Sequence, residues 1–126
     1  MEGLFQLHLQ GNQFSGTLPA TEIARLTNLK YLDVSSNKFN GTLPKEVVFL
    51  TDLVGLYLYD NQFTGMVPPD IGNLNYLSDL WLSFNSFTGA LSAEIGFLTE
   101  MKRFNLSDNS FSGTLPMEVG NLTNKY

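Results

Sequence analysis

The chain has 126 residues, of which 43% are apolar, a formal charge of −5 and no cysteine. That length suits one packed domain, the acidic balance argues against a nucleic-acid surface and anionic partners, and the missing cysteine removes disulfides, thiolate metal sites and a thiol nucleophile. No apolar run reaches the roughly 18 residues needed to cross a bilayer, so this segment makes no membrane contact of its own, and the opening MEGLFQLHLQ is too polar for a secretory leader.

The first predicted element is a short strand, in which Leu7 and Leu9 alternate with Gln6, His8 and Gln10 and so bury one face. A turn follows at Asn12, with Phe14 and Gly16 behind it. After Pro19 comes a short helix with Glu22 in its first turn, where an acidic side chain meets exposed amides and a proline loses no needed donor.

The same succession then recurs. Asn12, Asn37, Asn61, Asn85 and Asn109 lie 25, 24, 24 and 24 residues apart. Each precedes a phenylalanine by two residues (Phe14, Phe39, Phe63, Phe87, Phe111) and a glycine by four (Gly16, Gly41, Gly65, Gly89, Gly113). A fixed period of this length predicts a solenoid. The one insertion falls near Ala20, and an acidic column, Glu22, Glu46, Asp70, Glu94 and Glu118, marks the helix starts. Ser92 replaces the proline of the fourth unit, which predicts a relaxed turn there; Met101 and Phe104 replace leucines in the fifth.

Stacked coils make the strands parallel neighbours roughly 4.8 Å apart. Each asparagine then satisfies backbone groups at the turn leaving its strand. The phenylalanines meet their copies above and below as an internal spine, and the glycines suit positive φ or close backbone approach.

The frame LxxLxLxxNxFxGxLP, with segments such as DIGNL and GTLP, resembles the leucine-rich repeat family, in its plant-type form, across essentially the whole chain. The resemblance implies an α/β repeat solenoid with a parallel strand on the concave face and short or 3-10 helices on the convex face. Residues 1–126 are then a single array of about five repeats without terminal caps, an excerpt of a longer array. It further implies part of the ectodomain of a receptor-like protein or receptor-like kinase, extracellular or at the cell surface, with a protein or peptide ligand and co-receptor contacts, and no cofactor.

Specificity then resides in the outward strand positions that the frame leaves open. One column reads Gln6, Tyr31, Gly55, Asp79, Arg103; the next His8, Asp33, Tyr57, Trp81, Asn105; a third Gln10, Ser35, Tyr59, Ser83, Ser107; a fourth Gly11, Ser36, Asp60, Phe84, Asp108. In register, Tyr57, Tyr59, Trp81 and Phe84 form an aromatic centre with Tyr31 nearby and Asp33, Asp60, Asp79, Arg103 and Asp108 around it as a charged rim. Aromatics ringed by polar groups suit protein or peptide recognition; the plain alternative is that aromatics are good strand formers.

Catalysis finds no support: the single histidine, His8, has no nucleophile, phosphate loop or metal-ligand spacing beside it and reads as a surface residue. Asn40, Asn105 and Asn121 head glycosylation sequons, which are used only in the secretory pathway. Asn105 lies beside the proposed ligand site, which would be partly covered by a glycan there. Two other functions fit the frame: a secreted inhibitor of wall-degrading enzymes or polysaccharide binder, with sugar stacking on Trp81 and Tyr57, and an ice-binding surface on the ladder Thr27, Thr51, Asn75, Thr99 and Thr123.

Overall fold

The computed structural model describes residues 3–122, which wind into five coils. Each coil contributes one strand to the concave sheet: β1 (Gln6–His8), β3 (Tyr31–Asp33), β5 (Gly55–Tyr57), β7 (Asp79–Trp81) and β9 (Arg103–Asn105). Their order is β1-β3-β5-β7-β9, all parallel. The register aligns Gln6, Tyr31, Gly55, Asp79 and Arg103, and likewise His8, Asp33, Tyr57, Trp81 and Asn105.

A second parallel sheet, unforeseen in the sequence reading, follows the asparagine turn. It comprises β2 (Ser15–Gly16), β4 (Lys38–Thr42), β6 (Gln62–Gly65), β8 (Ser86–Gly89) and β10 (Ser110–Phe111). Its physical basis is a one-residue alternation around the phenylalanine: in β4 Phe39 is buried while Lys38 and Asn40 face out. The phenylalanine spine runs beneath this sheet, with successive ring centroids 6.2, 6.3, 6.0 and 6.2 Å apart and nearly parallel planes.

Inside lie the leucine columns; Leu32, Leu56 and Leu80 are wholly buried, as are Val34, Leu58 and Leu82 two residues on. The asparagines stitch one coil to the next. Asn61 Nδ2 donates to Val34 O on the preceding coil at 3.0 Å, and its Oδ1 accepts the Phe39 amide at 3.0 Å. Asn37, Asn85 and Asn109 repeat the pattern. Buried backbone groups that no ladder reaches are thereby paired. The glycine column takes positive φ, +73° at Gly41, where a Cβ would come within 2.8 Å of Thr17 Cγ2.

The convex side carries α1 (Ala20–Ala24) in the first coil and 3-10 helices at Lys45–Phe49, Pro69–Asn73, Ala93–Phe97 and Met117–Asn121 in the others. The first linker holds the one extra residue of the array, and only there does the turn open from 3-10 to α. Every helix has its acidic residue in the first turn. At Ser92 the expected relaxation does not occur: φ −76° and ψ 151° keep the extended approach of the prolines, and the hydroxyl accepts the Glu94 amide at 3.2 Å. A side-chain cap thus replaces the fixed φ of proline.

Candidate functional site

Gly55 shapes the middle of the concave face. Its register places it between Tyr31 and Asp79, and the Tyr57 ring leans back over the space its missing side chain leaves. A Cβ on Gly55 would lie 2.7 Å from Tyr57 Cε2, 2.9 Å from the Tyr57 hydroxyl and 3.0 Å from Tyr31 Cδ1. In that pose the Tyr57 hydroxyl donates to Asp79 Oδ2 at 2.7 Å.

Asp79 also takes two hydrogen bonds from the next coil, from Arg103 Nε to Oδ1 (3.0 Å) and from Arg103 Nη2 to Oδ2 (2.7 Å). Burial alone would push the Asp79 carboxyl up, but the bonds from Arg103 and Tyr57 outweigh it and hold it below the usual carboxylate range. Burial first, and then the carboxylate it bonds, push the Tyr57 hydroxyl up to about 12. Asp79 is therefore not part of a charged rim, as its column suggested. At 6% exposure it is the buried hub of a clamp across three coils, and the Arg103 side chain, 65% exposed, is its outer arm.

Beside the clamp, Asp33, Tyr57, Tyr59, Trp81 and Arg103 line an open cavity of about 190 Å³. Tyr59 and Trp81 pack at 5.8 Å between centroids, tilted by 56°. Trp81 Nε1 is the one buried side-chain polar atom without a hydrogen-bond partner among the described residues. Asp33 Oδ1 accepts the Ser35 amide (3.0 Å) and hydroxyl (2.6 Å), which leaves Oδ2 turned free of that turn. On the far side of Trp81, Asn105 forms the same turn with Ser107.

Of the sequence-derived site residues, Asp33, Tyr57, Tyr59, Trp81 and Arg103 meet in the cavity, and Tyr31 adjoins it against the Gly55 gap. Asp60 and Phe84 stand apart, at the turn where the strands end. Their column, Ser36, Asp60, Phe84 and Asp108, holds the left-handed conformation, with φ between 53° and 58°. The glycine in this column of the first coil, Gly11, is the signal for it; Phe84 is exposed, as its outward column implies, but lies outside the lining of the cavity shared by the other aromatics. Ser35 and Ser83, read as outward, are buried, because the chain already bends toward the asparagine turn at their column.

The Leucine Rich Repeat family model matches residues 28–50, 52–74 and 100–122, more than half of the chain. The chain belongs to the leucine-rich repeat family. A search of curated proteins found no match. Among solved structures, the array is similar to the BIR3–SERK2 complex from Arabidopsis thaliana, at TM-score 0.85 and 32% identity over 90% of this chain and 60% of that one. It is similar to the ectodomain of the Arabidopsis receptor kinase HAESA, solved with an IDA peptide hormone ligand, at TM-score 0.90 and 31% identity over 95% of this chain and 20% of that one. A leucine-rich repeat protein of Leptospira interrogans matches at TM-score 0.85 and 40% identity over 96% of this chain and 29% of that one. The array thus spans less than two thirds of each of these relatives.

Other surfaces of the repeat array are plainer. His8 is exposed, its Nε2 3.1 Å from Gln6 Oε1. Thr27, Thr51, Asn75 and Thr99 occupy exposed turn positions, and Thr123 lies outside the described residues. Asn40 and Asn121 are exposed, whereas Asn105 is half-buried and bonded to Ser107. A wider cavity, about 470 Å³, lies on the flank where the strands start, among Lys30, Asp52, Tyr76, Glu100 and Lys102.

Proposed function

We propose that this segment is a non-catalytic recognition module of a receptor-like leucine-rich repeat protein at the cell surface, binding a protein or peptide ligand across its concave sheet. The observation that carries the reading is the cavity of Asp33, Tyr57, Tyr59, Trp81 and Arg103. The repeat frame requires none of these side chains, since serine, asparagine, glutamine and glycine stand at the same columns in other coils. Tyrosine and tryptophan supply contact area at low entropic cost, and the clamp fixes Tyr57 and Arg103 before a ligand arrives. Tyr31, Asp60, Phe84 and Asn105 complete the surface around them, and Asp79 anchors it from beneath through Tyr57 and Arg103.

The likeness to the HAESA receptor kinase ectodomain, solved with a peptide hormone, and to the BIR3–SERK2 complex supports peptide ligands and co-receptor contacts. In such a receptor, the exposed Asn40 and Asn121 are the sequons open to glycosylation, and a glycan on Asn105 would crowd Trp81.

The test is a binding screen of the chain against secreted peptides and wall-degrading enzymes, beside a Tyr59→Ala/Trp81→Ala variant and a convex-face Phe49→Ala/Phe97→Ala variant. Loss of a peptide ligand only in the concave variant is the expected result. A ligand lost only in the convex variant refutes the site, and retention of wall enzymes or polysaccharide alone by the concave face favours the inhibitor reading.

A further inference from the structure

The concave surface carries a charge imbalance that its own residues leave open. Its four columns hold the carboxylates of Asp33, Asp60, Asp79 and Asp108 against one guanidinium, Arg103. That guanidinium is spent on Asp79, through two hydrogen bonds of 3.0 and 2.7 Å. Asp33, Asp60 and Asp108 have no second cation within these columns. Lys30 and Lys102 stand one residue before their strands and line the separate flank cavity with Asp52 and Glu100, and Lys38 lies beyond the asparagine turn.

Each unbalanced carboxylate stands beside an aromatic. Asp33 shares its cavity with Tyr57, Tyr59, Trp81 and Arg103, whose guanidinium is held against Asp79. Asp60 and Asp108 flank Phe84 on the adjoining coils, where backbone bonds from Asp60 N to Ser83 O and from Phe84 N to Ser107 O hold the three turns together. Phe84 is 57% exposed and stands at φ 55°, a conformation that a bulky side chain rarely adopts. A ring face next to a carboxylate is the environment a basic side chain fills best: the cation meets the ring quadrupole and the charge, and the aliphatic stem covers the ring.

We propose that the occupant of the concave surface is a basic peptide segment, with one arginine or lysine side chain in the Asp33–Tyr57–Tyr59–Trp81 cavity and a second over Phe84 between Asp60 and Asp108. The proposal rests on the concave-face reading above and adds the chemistry of the ligand. Trp81 and Phe84 are three residues apart, at most roughly 10 Å along the chain, which an extended peptide spans between basic residues at the same separation.

The test uses fluorescein-labelled nonapeptides of glycine and serine carrying Arg-x-x-Arg, with Gln-x-x-Gln and Glu-x-x-Glu counterparts. Binding is followed by polarisation and by emission of Trp81, the single tryptophan. The arginine peptide is expected to bind roughly 10-fold more tightly than the glutamine one, with the preference shrinking as salt rises. Asp33→Asn and Asp60→Asn together should abolish that preference without unfolding the chain. Asparagine keeps the Oδ1 acceptor for Ser35 and tolerates the φ of 58° at position 60. Asp52→Asn, on the flank, should leave the preference intact.

A preference that survives the paired asparagine variant, or is lost equally in Asp52→Asn, overturns the proposal. So does tighter binding of the glutamine or glutamate peptide, but if that binding is lost in Trp81→Ala the concave-face reading stands. If no peptide binds or shifts Trp81 emission, the basic-peptide proposal falls, while the concave-face reading falls only if a ligand from the screen keeps its affinity in Tyr59→Ala/Trp81→Ala.

Discussion

Phe84 carries an energetic cost that the repeat frame does not require. A non-glycine residue in the left-handed region costs about 1–2 kcal/mol, and asparagine or aspartate tolerates it best. With Phe84 57% exposed, little burial offsets that cost. Phe84→Asn is therefore expected to raise thermal stability by about 1 kcal/mol while weakening ligand binding, as denaturant midpoints and titrations would show. A variant that is less stable than the parent would contradict the strain argument. The sequence displayed this column through Gly11 but not the phenylalanine's conformation, because one aromatic among serine and aspartate carries no backbone signature.

Tyr57 and Asp79 give the residue scale its pH dependence. The Tyr57 pKa is raised to about 12, so its contribution to stability is complete below the ordinary tyrosine value near 10 and is lost as pH rises through about 12. Asp79 has a lowered pKa, so its contribution is present above the ordinary carboxylate value and is lost as pH falls through the depressed one. An ultraviolet titration of the folded chain should show one of its five tyrosines ionising late, a step absent in Tyr57→Phe. Gly55→Ala should move that step back toward the ordinary value, because the new Cβ displaces the ring from Asp79. If Tyr57 still ionises late in Gly55→Ala, the account of the clamp is wrong. This arrangement was hidden in the sequence. Asp79 reads as a rim charge until a missing side chain on one coil, a tyrosine two residues on and an arginine two coils away are seen to converge.

At the scale of elements, the asparagine turns hold the coils in register. Asn61→Ala strands the Phe39 amide and removes one of the two donors to Val34 O, which keeps Asn37 Nδ2, so a loss of about 1–3 kcal/mol is expected in chemical denaturation. Among the described residues Asn12 bonds only carbonyls of its own coil, from an exposed position. Asn12→Ala is accordingly expected to cost under about 1 kcal/mol. Equal losses would show that the asparagines act locally and not between coils. Strands, spine and helix starts were legible because one residue type recurs in each column and a slip of one residue would turn the leucines outward. The second sheet was not, since its alternation is only two to five residues long and overlaps the asparagine and glycine positions.

Across the whole molecule, each coil touches only its neighbours, so the site gains from lying on the third and fourth coils. Leu56, Leu58, Leu80 and Leu82 there are wholly buried, while Leu7 and Leu9 of the first coil are half-buried. Packing from both sides holds Tyr57, Tyr59 and Trp81 in place before binding, which lowers the ordering cost of association. The most direct test of the concave site is the single indole resonance of Trp81 in a proton–nitrogen correlation spectrum, followed while a ligand from the screen is titrated to saturation. The account predicts a shift of that resonance with the same midpoint as binding measured by calorimetry. Saturated binding with the indole resonance unmoved would place the ligand elsewhere on the array and contradict it.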